Sequence, residues 1–454
     1  MEVILEQKDA GDWTYRGEGA ANLVLAYTGS SPTFVGKVLR IRKAPRNSTE
    51  CENSCPALTM HECLLWKDAN SLVSAPTREI AKQLFVRHVM CPLLGSEYVD
   101  AGIRVLVSRE FLESIENKVL GYRPACRVDA AKVNIFCDSA LLMSDHSIFP
   151  HGSLKEDLCI SVEIKPKCGF LPISSFIAEG NAVKKNISRF RMHQALKLQQ
   201  KEVSDASEYD PLDMFSQSKD RVLKAINSLF VTPQNNFRVF LNGYLIFGGL
   251  GGGADRTSCM INEAFEDALK CVIRADDGLR TTNFLQLVAE AVFKSSLLDR
   301  LLEAQRLDIF DIEGVIHAYY DIVSQPCMVC RDMCDKKQPD RYTSLHSIPL
   351  EESLKIVRDY LIAATAKDLS MMICFRPRQD GDLGSANSVV FLESTSQSFD
   401  YKASFLDLDM KPLKKMEQYY KLDQQIVRCY TQMLKSKHQP EKEAATIEAY
   451  TAIY

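Results

Sequence analysis

The stretch Cys159-Ile-Ser-Val-Glu-Ile-Lys-Pro-Lys-Cys-Gly-Phe170 combines a strand pattern with an acid and two lysines. Apolar and polar residues alternate through its first half, which predicts a β-strand. Pleating would place Glu163, Lys165 and Lys167 on one face, with about 13 Å between the first and the last. Pro166 has no amide donor, so the strand is predicted to end or to lie at a sheet edge. The pattern alone leaves open whether this face binds a long polyanion or is the solvated face of an edge strand.

Composition indicates an ordinary globular protein. Its 454 residues exceed a single core and predict two or three subdomains. The net charge of −4 gives no bulk attraction to nucleic acid or anionic membrane, so any anion site requires a local concentration of Lys and Arg. The sequence shows no signal-peptide pattern and no apolar run of membrane-spanning length. Its 15 cysteines therefore predict reduced thiols in the cytosol or nucleus.

The order of predicted elements indicates an α/β (α+β) protein with two main parts. Residues 1–146 are predicted to form an N-terminal lobe that ends in a polar hinge at Asp145 and His146. Residues 147–435 are predicted to form a larger C-terminal lobe that opens with the strand quoted above. Residues 436–454 are predicted to be a disordered tail.

A glycine-rich turn, Gly17-Glu-Gly-Ala-Ala-Asn22, lies between two predicted strands, with Lys37 and Arg40 on the next strand. Backbone amides in such a turn can approach phosphates closely. The layout resembles the nucleotide lid of kinases, although an ordinary hairpin has the same pattern. A second glycine run, from Gly248 to Gly253, lacks a strand–loop–helix context and is predicted to be a surface loop.

A group of His317, Cys327, Cys330 and His346 combines imidazole and thiolate donors that together favour tetrahedral zinc. Four protein ligands leave no open coordination position, so the predicted role is structural. Cys334 is a further candidate that could replace one histidine. A redox pair or unrelated core cysteines are the alternatives.

Near the C-terminus, a predicted strand is followed directly by a predicted helix. Asp407 and Asp409 alternate on one face of the strand, and the helix, predicted from Lys411, carries Lys415 and Tyr419 on the same side as Lys411. Carboxylates suit Mg²⁺, and amines near a helix start suit phosphates. A solvated basic helix face is the alternative.

Asp368 lies between a predicted helix and a predicted strand. An aspartate at such a junction is most often a cap or turn residue. A general base for a hydroxyl group is the functional alternative.

Four short segments together resemble the inositol-pentakisphosphate 2-kinases, and their plant members in particular. The segments are Glu163-Ile-Lys-Pro-Lys167 with Cys168-Gly-Phe-Leu-Pro172 after it, Met192-His-Gln-Ala-Leu-Lys197, Thr232-Pro-Gln-Asn-Asn-Phe-Arg238 and Tyr419-Tyr-Lys-Leu-Asp423. The similarity extends from the first residues to about residue 432. It implies a two-lobed kinase-like fold with a structural Zn²⁺ site in the C-terminal lobe. It also implies ATP and Mg²⁺ as cofactors, and transfer of the ATP γ-phosphate to the axial 2-hydroxyl of inositol 1,3,4,5,6-pentakisphosphate.

The resemblance also implies roles for individual residues. Asp368, Lys165 and Asp407 match the catalytic positions, with Glu163 at the ribose and Asp407 at Mg²⁺. The nucleotide-binding positions are Gly19, Ala20, Ala21, Asn22, Arg40, Asp145, His146, Glu163, Lys165, Arg238 and Asp407. The inositol-phosphate positions are Arg127, Lys167, Lys197, Asn235, Asp368, Lys411, Lys415 and Tyr419. The zinc positions are His317, Cys327, Cys330 and His346. The chain departs from the family pattern at Pro45, where the family has a basic residue, and at Lys415, where an arginine also occurs.

Two other functions fit parts of the sequence. A zinc-containing module that binds inositol phosphates or nucleic acid without catalysis would explain the Cys/His group and the scattered basic residues. A kinase for another inositol phosphate or a lipid would share the nucleotide half. The kinase interpretation predicts small-molecule partners only, with no nucleic acid, no membrane and a monomeric chain.

Overall fold

The structure is a computed structural model that describes residues 3–47, 56–149, 158–249, 258–331, 345–378 and 388–451, without the side chains of 258–262 and 437–451. Two β-sheets surrounded by helices form the described part of the chain. The mixed α/β architecture predicted from the sequence is therefore confirmed.

The first sheet is built from residues before 145. Its strands follow the order β1-β5-β7-β4-β3-β2, and β6 pairs with β4. β1 is parallel to β5, while the other pairs are antiparallel. The strands are β1 (Ile4–Leu5), β2 (Trp13–Glu18), β3 (Asn22–Tyr27), β4 (Lys37–Pro45), β5 (Ile103–Val107), β6 (Ala131–Val133) and β7 (Ser139–Ser144).

The second sheet is built from residues after 159 and is antiparallel throughout. Its strand order is β10-β9-β8-β11-β13-β12. The strands are β8 (Ile160–Ile164), β9 (Phe237–Leu241), β10 (Tyr244–Phe247), β11 (Ser370–Pro377), β12 (Ser388–Leu392) and β13 (Gln397–Leu406).

Strand β8 is central in the second sheet, so of the two alternatives predicted from Pro166 the edge position is wrong and the strand end is confirmed. All five of its residues are buried. Glu163 lies opposite Arg238 of β9 on one side and Met372 of β11 on the other. Pro166 causes no missing bond in the ladder because it lies beyond the last paired residue. Because β8 is buried on both faces, the alternative of a solvated face on an edge strand is wrong.

Helices pack around both sheets. The helices are α1 (Met60–Leu65), α2 (Asn70–Val73), α3 (Arg78–Phe85), α4 (Cys91–Leu94), α5 (Arg109–Val119), α6 (Ala125–Ala130), α7 (Arg189–Gln199), α8 (Pro211–Met214), α9 (Lys219–Val231), α10 (Ser258–Ala268), α11 (Arg280–Lys294), α12 (Leu297–Gln305), α13 (Asp311–Val323), α14 (Met328–Arg331), α15 (Leu350–Ala366) and α16 (Met416–Thr451).

Two separate hydrophobic clusters form the main cores. The smaller one lies on the first sheet and includes Trp13, Leu39 and Phe111. The larger one lies on the second sheet and also takes in buried residues between Leu58 and Val99. The segment 58–99 therefore packs with the second sheet although it precedes the predicted lobe boundary at residue 146, which itself stays a prediction.

The junction after β13 differs from its prediction. The strand ends at Leu406, so Asp407 and Asp409 follow the strand and do not alternate along it. Asp407 has a φ of 61°, a left-handed backbone that stops strand pairing. Helix α16 begins at Met416 after a short 3₁₀ turn, so Lys411 lies outside the helix and the predicted shared helix face is wrong.

Helix α16 continues to Thr451, past the helix end predicted near residue 435, and the predicted disordered tail stays a prediction. The added segment is rich in Glu, Lys and Ala, which favour helix. Among the described residues, no helix combines the length and the apolar character needed to cross a membrane.

Candidate functional site

The end of β8 and the starts of its neighbours form a chain of polar contacts. The Lys165 ammonium donates to Asp407 Oδ2 at 3.0 Å and to Ser370 Oγ at 2.8 Å. The Ser370 hydroxyl donates to Glu163 Oε1 at 2.8 Å. Arg238 on β9 holds the other oxygen, Glu163 Oε2, at 3.1 Å. Strand pairing explains the convergence, because β9, β8 and β11 are neighbours in one sheet.

The ion pair between Lys165 and Asp407 keeps both side chains charged. Burial lowers the pKa of Lys165, but Asp407 and Glu163 outweigh it and the pKa lies above its usual value. Burial raises the pKa of Asp407, but Lys165 and Arg40 outweigh it and the pKa lies below its usual value. The site therefore presents an ammonium and a carboxylate side by side at neutral pH.

The first sheet contributes Arg40, which reaches across to the junction after β13. Its guanidinium is 2.7 Å from Asp409 Oδ2 and 4.0 Å from Asp407 Oδ1. With its amide oriented to accept, Asn22 takes hydrogen bonds from Arg40 at 2.8 and 3.1 Å. The turn of Gly19, Ala20 and Ala21 is closed by a bond from Gly19 N to Asn22 O at 3.0 Å. The glycine turn therefore does form a hairpin, and it lies beside the carboxylates of the second sheet.

A second charged group, around Asp368, adjoins the first. Lys411 Nζ is 2.6 Å from Asp368 Oδ2, and Lys167 Nζ is 3.7 Å from Asp368 Oδ1. Burial raises the pKa of Asp368, but Lys411 and Lys167 outweigh it and the pKa lies below its usual value. Asp368 is therefore a carboxylate held between two cations.

Lys167 has an unusual backbone conformation and a lowered pKa. Its φ of 62° is left-handed, which is uncommon for a lysine and turns its side chain out of the β8 ladder. The row of three charged residues that was predicted on one strand face is therefore bent at Lys167. Burial lowers the pKa of Lys167 to about 8, and Asp368 offsets this only in part against the nearby cations.

Helix α7 brings two further basic groups toward Lys167. Lys197 is one of the cations that lower the Lys167 pKa, so it lies close by. One turn earlier, burial together with Arg189, Lys197 and Lys167 lowers the pKa of His193 to about 4. His193 was not among the site residues predicted from the sequence. Its spacing of four residues from Lys197 places both on one side of a helix, and this spacing could have indicated it as a neighbour of the site. Burial and Asp368 raise the pKa of Tyr419 to about 12, which places Tyr419 near the same group.

The predicted hinge lies between the two sheets. Asp145 pairs with Arg16 of β2 at 2.8 Å, and His146 Nδ1 is 2.9 Å from Ser404 Oγ of β13. A cleft of ≈ 260 Å³ opens beside His146, between Lys37 of the first sheet and Ser404 of the second.

Three predicted site residues differ from Lys197 and Tyr419, because in the described part of the chain no hydrogen bond, ion pair or electrostatic effect links them to the groups around Lys165 and Asp368. Arg127 on α6 lies near the buried group of Glu18, Lys43 and Arg123. Asn235 and Lys415 are exposed to solvent. Their predicted roles remain predictions.

The four predicted zinc ligands do come together. His317 Nδ1 is 3.2 Å from His346 Nε2 and 3.5 Å from both cysteine sulfurs, and Cys330 Sγ is 3.4 Å from His346 Nε2. All four donor atoms lie within 4.8 Å of one another, a spacing that could hold a metal ion. Asp321 accepts from His346 Nδ1 at 2.6 Å and so orients that ring. The alternative ligand Cys334 lies outside the described residues, as do residues 250–253 of the second glycine run.

A second cluster of acids, Asp311, Glu313 and Asp423, has its centre filled by an ammonium. Lys184 Nζ lies 2.5, 3.0 and 2.7 Å from these three carboxylates. The cluster is therefore a buried ion network that links α13 to α16, with no need for a metal.

Comparison with known proteins gives a consistent result over nearly the whole chain. A family model described as inositol-pentakisphosphate 2-kinase matches residues 15–425. An inositol-pentakisphosphate 2-kinase of Arabidopsis thaliana is 56% identical over 445 residues, which are 97% of this chain and 98% of the relative. A protein of the same description from Oryza sativa subsp. indica is 50% identical over 432 residues, 95% of this chain and 96% of the relative. One from Danio rerio is 29% identical over 486 residues, 94% of each chain.

Proposed function

This chain belongs to the inositol-pentakisphosphate 2-kinase family, and we propose that it transfers the γ-phosphoryl group of ATP to the axial 2-hydroxyl of inositol 1,3,4,5,6-pentakisphosphate. The product is inositol hexakisphosphate. The observation that carries the proposal is the adjacency of two charged groups, Lys165 with Asp407 and Lys167 with Asp368. The first suits a nucleotide with its metal ion, and the second suits a phosphorylated alcohol.

The nucleotide would occupy the space between the two sheets. The hinge at Asp145 and His146, with its adjoining cleft, would receive the base. Glu163 would hold the ribose, and Lys165 would lie at the transferred phosphate. The remaining contacts to the phosphates would come from residues 19–22, Arg40 and Arg238. This division supports the two-lobed kinase-like arrangement that the family resemblance implies.

Asp407 would hold Mg²⁺ for the nucleotide phosphates. It is an ionised carboxylate at the end of β13, and hard divalent cations prefer such oxygen ligands. Mg²⁺ supplies neutralisation of the charge on the phosphate oxygens. Lys165 then needs only to exchange its present partner Asp407 for a phosphate oxygen at similar distance.

The inositol substrate requires a dense cationic surface. A phosphate monoester carries about −1.5 to −2 at pH 7, so five carry roughly −8 to −10. Lys167 and Lys411 face Asp368, and Lys197 acts on the charge of Lys167. These three lysines would supply positive charge to the substrate, and Tyr419 would add a neutral hydroxyl donor. Arg127, Asn235 and Lys415 would complete the set after they approach the ligand.

Asp368 is the group that would receive the reacting hydroxyl. Its low pKa makes it a weak base, so it would orient the hydroxyl first and accept the proton late, as the new bond to phosphorus forms. Phosphoryl transfer depends mainly on positioning and charge stabilisation, which suits a weak base.

Zinc is the metal that fits the four-donor group of His317, Cys327, Cys330 and His346. Tetrahedral zinc with Zn–S near 2.3 Å and Zn–N near 2.05 Å requires donor separations of about 3.3 Å between nitrogens and about 3.5 Å between nitrogen and sulfur. The observed separations of 3.2 to 3.5 Å agree with these values. With all four positions filled, the role would be structural.

The activity is tested by incubating zinc-replete protein with Mg-ATP and inositol 1,3,4,5,6-pentakisphosphate and separating the products by anion-exchange chromatography. We expect hexakisphosphate to form, and to form faster than the product from any other inositol phosphate or phosphoinositide in a parallel panel. Folded protein that forms no hexakisphosphate would refute the proposal. Tight substrate binding without turnover, unchanged in Asp407→Ala, would support the non-catalytic binding module instead.

A further inference from the structure

Ser370 occupies a position that none of the sequence patterns indicated. It is the first residue of β11, two residues after Asp368, and its side chain is fully buried. Its hydroxyl lies between Lys165 Nζ and Glu163 Oε1, at 2.8 Å from each. A single hydroxyl therefore joins the residue proposed at the transferred phosphate to the residue proposed at the ribose.

The charges of its partners fix the direction of both bonds. An ammonium can only donate, so Lys165 must donate to Ser370 Oγ. A carboxylate can only accept, so the single Ser370 proton must go to Glu163. Because Arg238 already occupies the other Glu163 oxygen, all four groups stand in one ordered chain from Lys165 to Arg238.

This row of hydrogen bonds restricts where the Lys165 ammonium can lie. Without the hydroxyl, the ammonium would have two carboxylates within reach, Asp407 and Glu163, which both act on its charge already. A direct Lys165–Glu163 ion pair would draw the ammonium toward the ribose side and away from the phosphate. The Ser370 hydroxyl separates these two charges while still satisfying both.

We propose that Ser370 is a positioning residue for phosphoryl transfer, which fixes the Lys165 ammonium toward the transferred phosphate and separates it from Glu163. This inference rests on the proposed function, because it assigns a second residue to the same reaction. Ser370 itself needs no contact with either substrate.

The test compares Ser370→Ala with Ser161→Ala as a matched control. Ser161 is a fully buried serine of the neighbouring strand β8, and its hydroxyl has no hydrogen-bond partner in the described part of the chain. Ser370→Thr, which restores a hydroxyl, is the rescue variant. Steady-state kinetics with Mg-ATP and inositol pentakisphosphate give kcat and both KM values, and thermal melting shows whether each variant is folded.

We expect Ser370→Ala to lower kcat about tenfold to hundredfold, the range for a lost hydrogen bond to a charged group. KM for inositol pentakisphosphate should stay within about twofold, Ser161→Ala should match the wild type, and Ser370→Thr should recover most of kcat. An unchanged kcat in Ser370→Ala, or equal losses in the two alanine variants, would overturn the proposal.

A nucleotide-binding measurement separates this inference from the proposed function. Calorimetric titration with Mg²⁺ and a non-hydrolysable ATP analogue needs no turnover. If the wild type fails to phosphorylate inositol pentakisphosphate, the proposed function fails, yet Ser370→Ala should still bind the analogue several-fold more weakly than Ser161→Ala. Equal affinities of the two variants would overturn the proposed role of Ser370 and would leave the proposed function unaffected.

Discussion

Lys165 is the central residue of the proposed nucleotide half of the site. It contacts Asp407 and Ser370 and carries a raised pKa, so it stays charged throughout the neutral range. Lys165→Ala and Asp407→Ala are each expected to lower kcat by about 10²- to 10³-fold, because each removes a charge that stabilises the transferring phosphate. Rapid-quench or steady-state assays measure this loss. Retention of more than a tenth of the wild-type kcat in either variant would contradict the assigned roles.

Lys197 is proposed to belong to the substrate half of the site. It acts electrostatically on Lys167 and His193 from helix α7 and makes no ion pair with the nucleotide group in the described residues. Lys197→Ala should therefore raise KM for inositol pentakisphosphate about tenfold, with little change in KM for ATP. A KM for the inositol substrate equal to that of the wild type would show that Lys197 does not contact it.

Lys167 predicts a pH dependence of substrate binding. Its pKa of about 8 means that its charge is complete below pH 8 and is lost as the pH rises through 8, whereas an unperturbed lysine keeps its charge until about pH 10.5. KM for inositol pentakisphosphate should therefore rise above pH 8. Lys167→Arg, which remains charged, should flatten this rise. An equally steep rise in the arginine variant would assign the effect to another group.

Most of the charged residues that the structure brings together around Lys165 and Asp368 were named from the sequence, because lysine, arginine and aspartate in an ordered motif can be recognised without a structure. The sequence analysis missed Ser370, since a lone serine at a strand start carries no distinguishing pattern. It also missed the left-handed backbone at Lys167 and Asp407, because neither residue type favours that conformation as glycine does. Such strained positions depend on the surrounding structure and not on local preference.

At the scale of elements, the four-donor group ties helix α13 and helix α14 to His346. His317 lies on α13, Cys330 on α14, and Cys327 between them. Removal of the proposed zinc ion by a strong chelator should lower the free energy of unfolding by about 3 kcal/mol or more, because the donors would lose the ion proposed to hold them together. Atomic absorption measures the loss of metal, and thermal melting measures the loss of stability.

Cysteine variants provide the control for zinc. Cys330→Ser should release zinc and reproduce the lower melting temperature, while Cys271→Ser, at an exposed cysteine outside the group, should keep both. A structural role would be excluded if zinc-free protein melted at the same temperature as the zinc-loaded protein.

Elements were predicted best where their signal was local. The sequence of residues 350–366 predicts a helix and that of residues 139–144 predicts a strand, and the structure has both elements with those bounds. For strand β8 the sequence left an edge position open, because its burial on both faces comes from β9 and β11, which lie far away in sequence. The helix predicted from Lys411 begins later, at Met416, after Pro412 and a short 3₁₀ turn.

At the scale of the whole molecule, Arg16 joins the two sheets beside the hinge. From β2 it pairs with Asp145 and donates to the carbonyl of Gly243, and it lies 5.8 Å from the ring centroid of Tyr244. Arg16→Ala should lower the free energy of unfolding by about 1–3 kcal/mol, because it leaves the buried Asp145 without its cation. Thermal and urea-induced unfolding measure the change.

The exposed Arg109 is the matched control for Arg16. It also has an ion pair, with Glu113, and an aromatic neighbour, Phe136, but all three lie within residues 109–136. Arg109→Ala should cost only about 0.3–0.5 kcal/mol, as is typical of exposed pairs one helical turn apart. Equal losses in the two variants would show that the contact between the sheets contributes nothing beyond a surface pair.

The internal pairing of the site has a consequence for selectivity among anions. Lys165, Lys411 and Lys167 already face Asp407 or Asp368, so a ligand must displace these built-in carboxylates before it gains their cations. A competitor of low charge such as sulfate, or one with spread charge such as a stretch of nucleic acid, would replace too few contacts at once to compensate for that exchange. A compact molecule with several phosphates would replace them together. We therefore expect the site to discriminate among anions by their charge density.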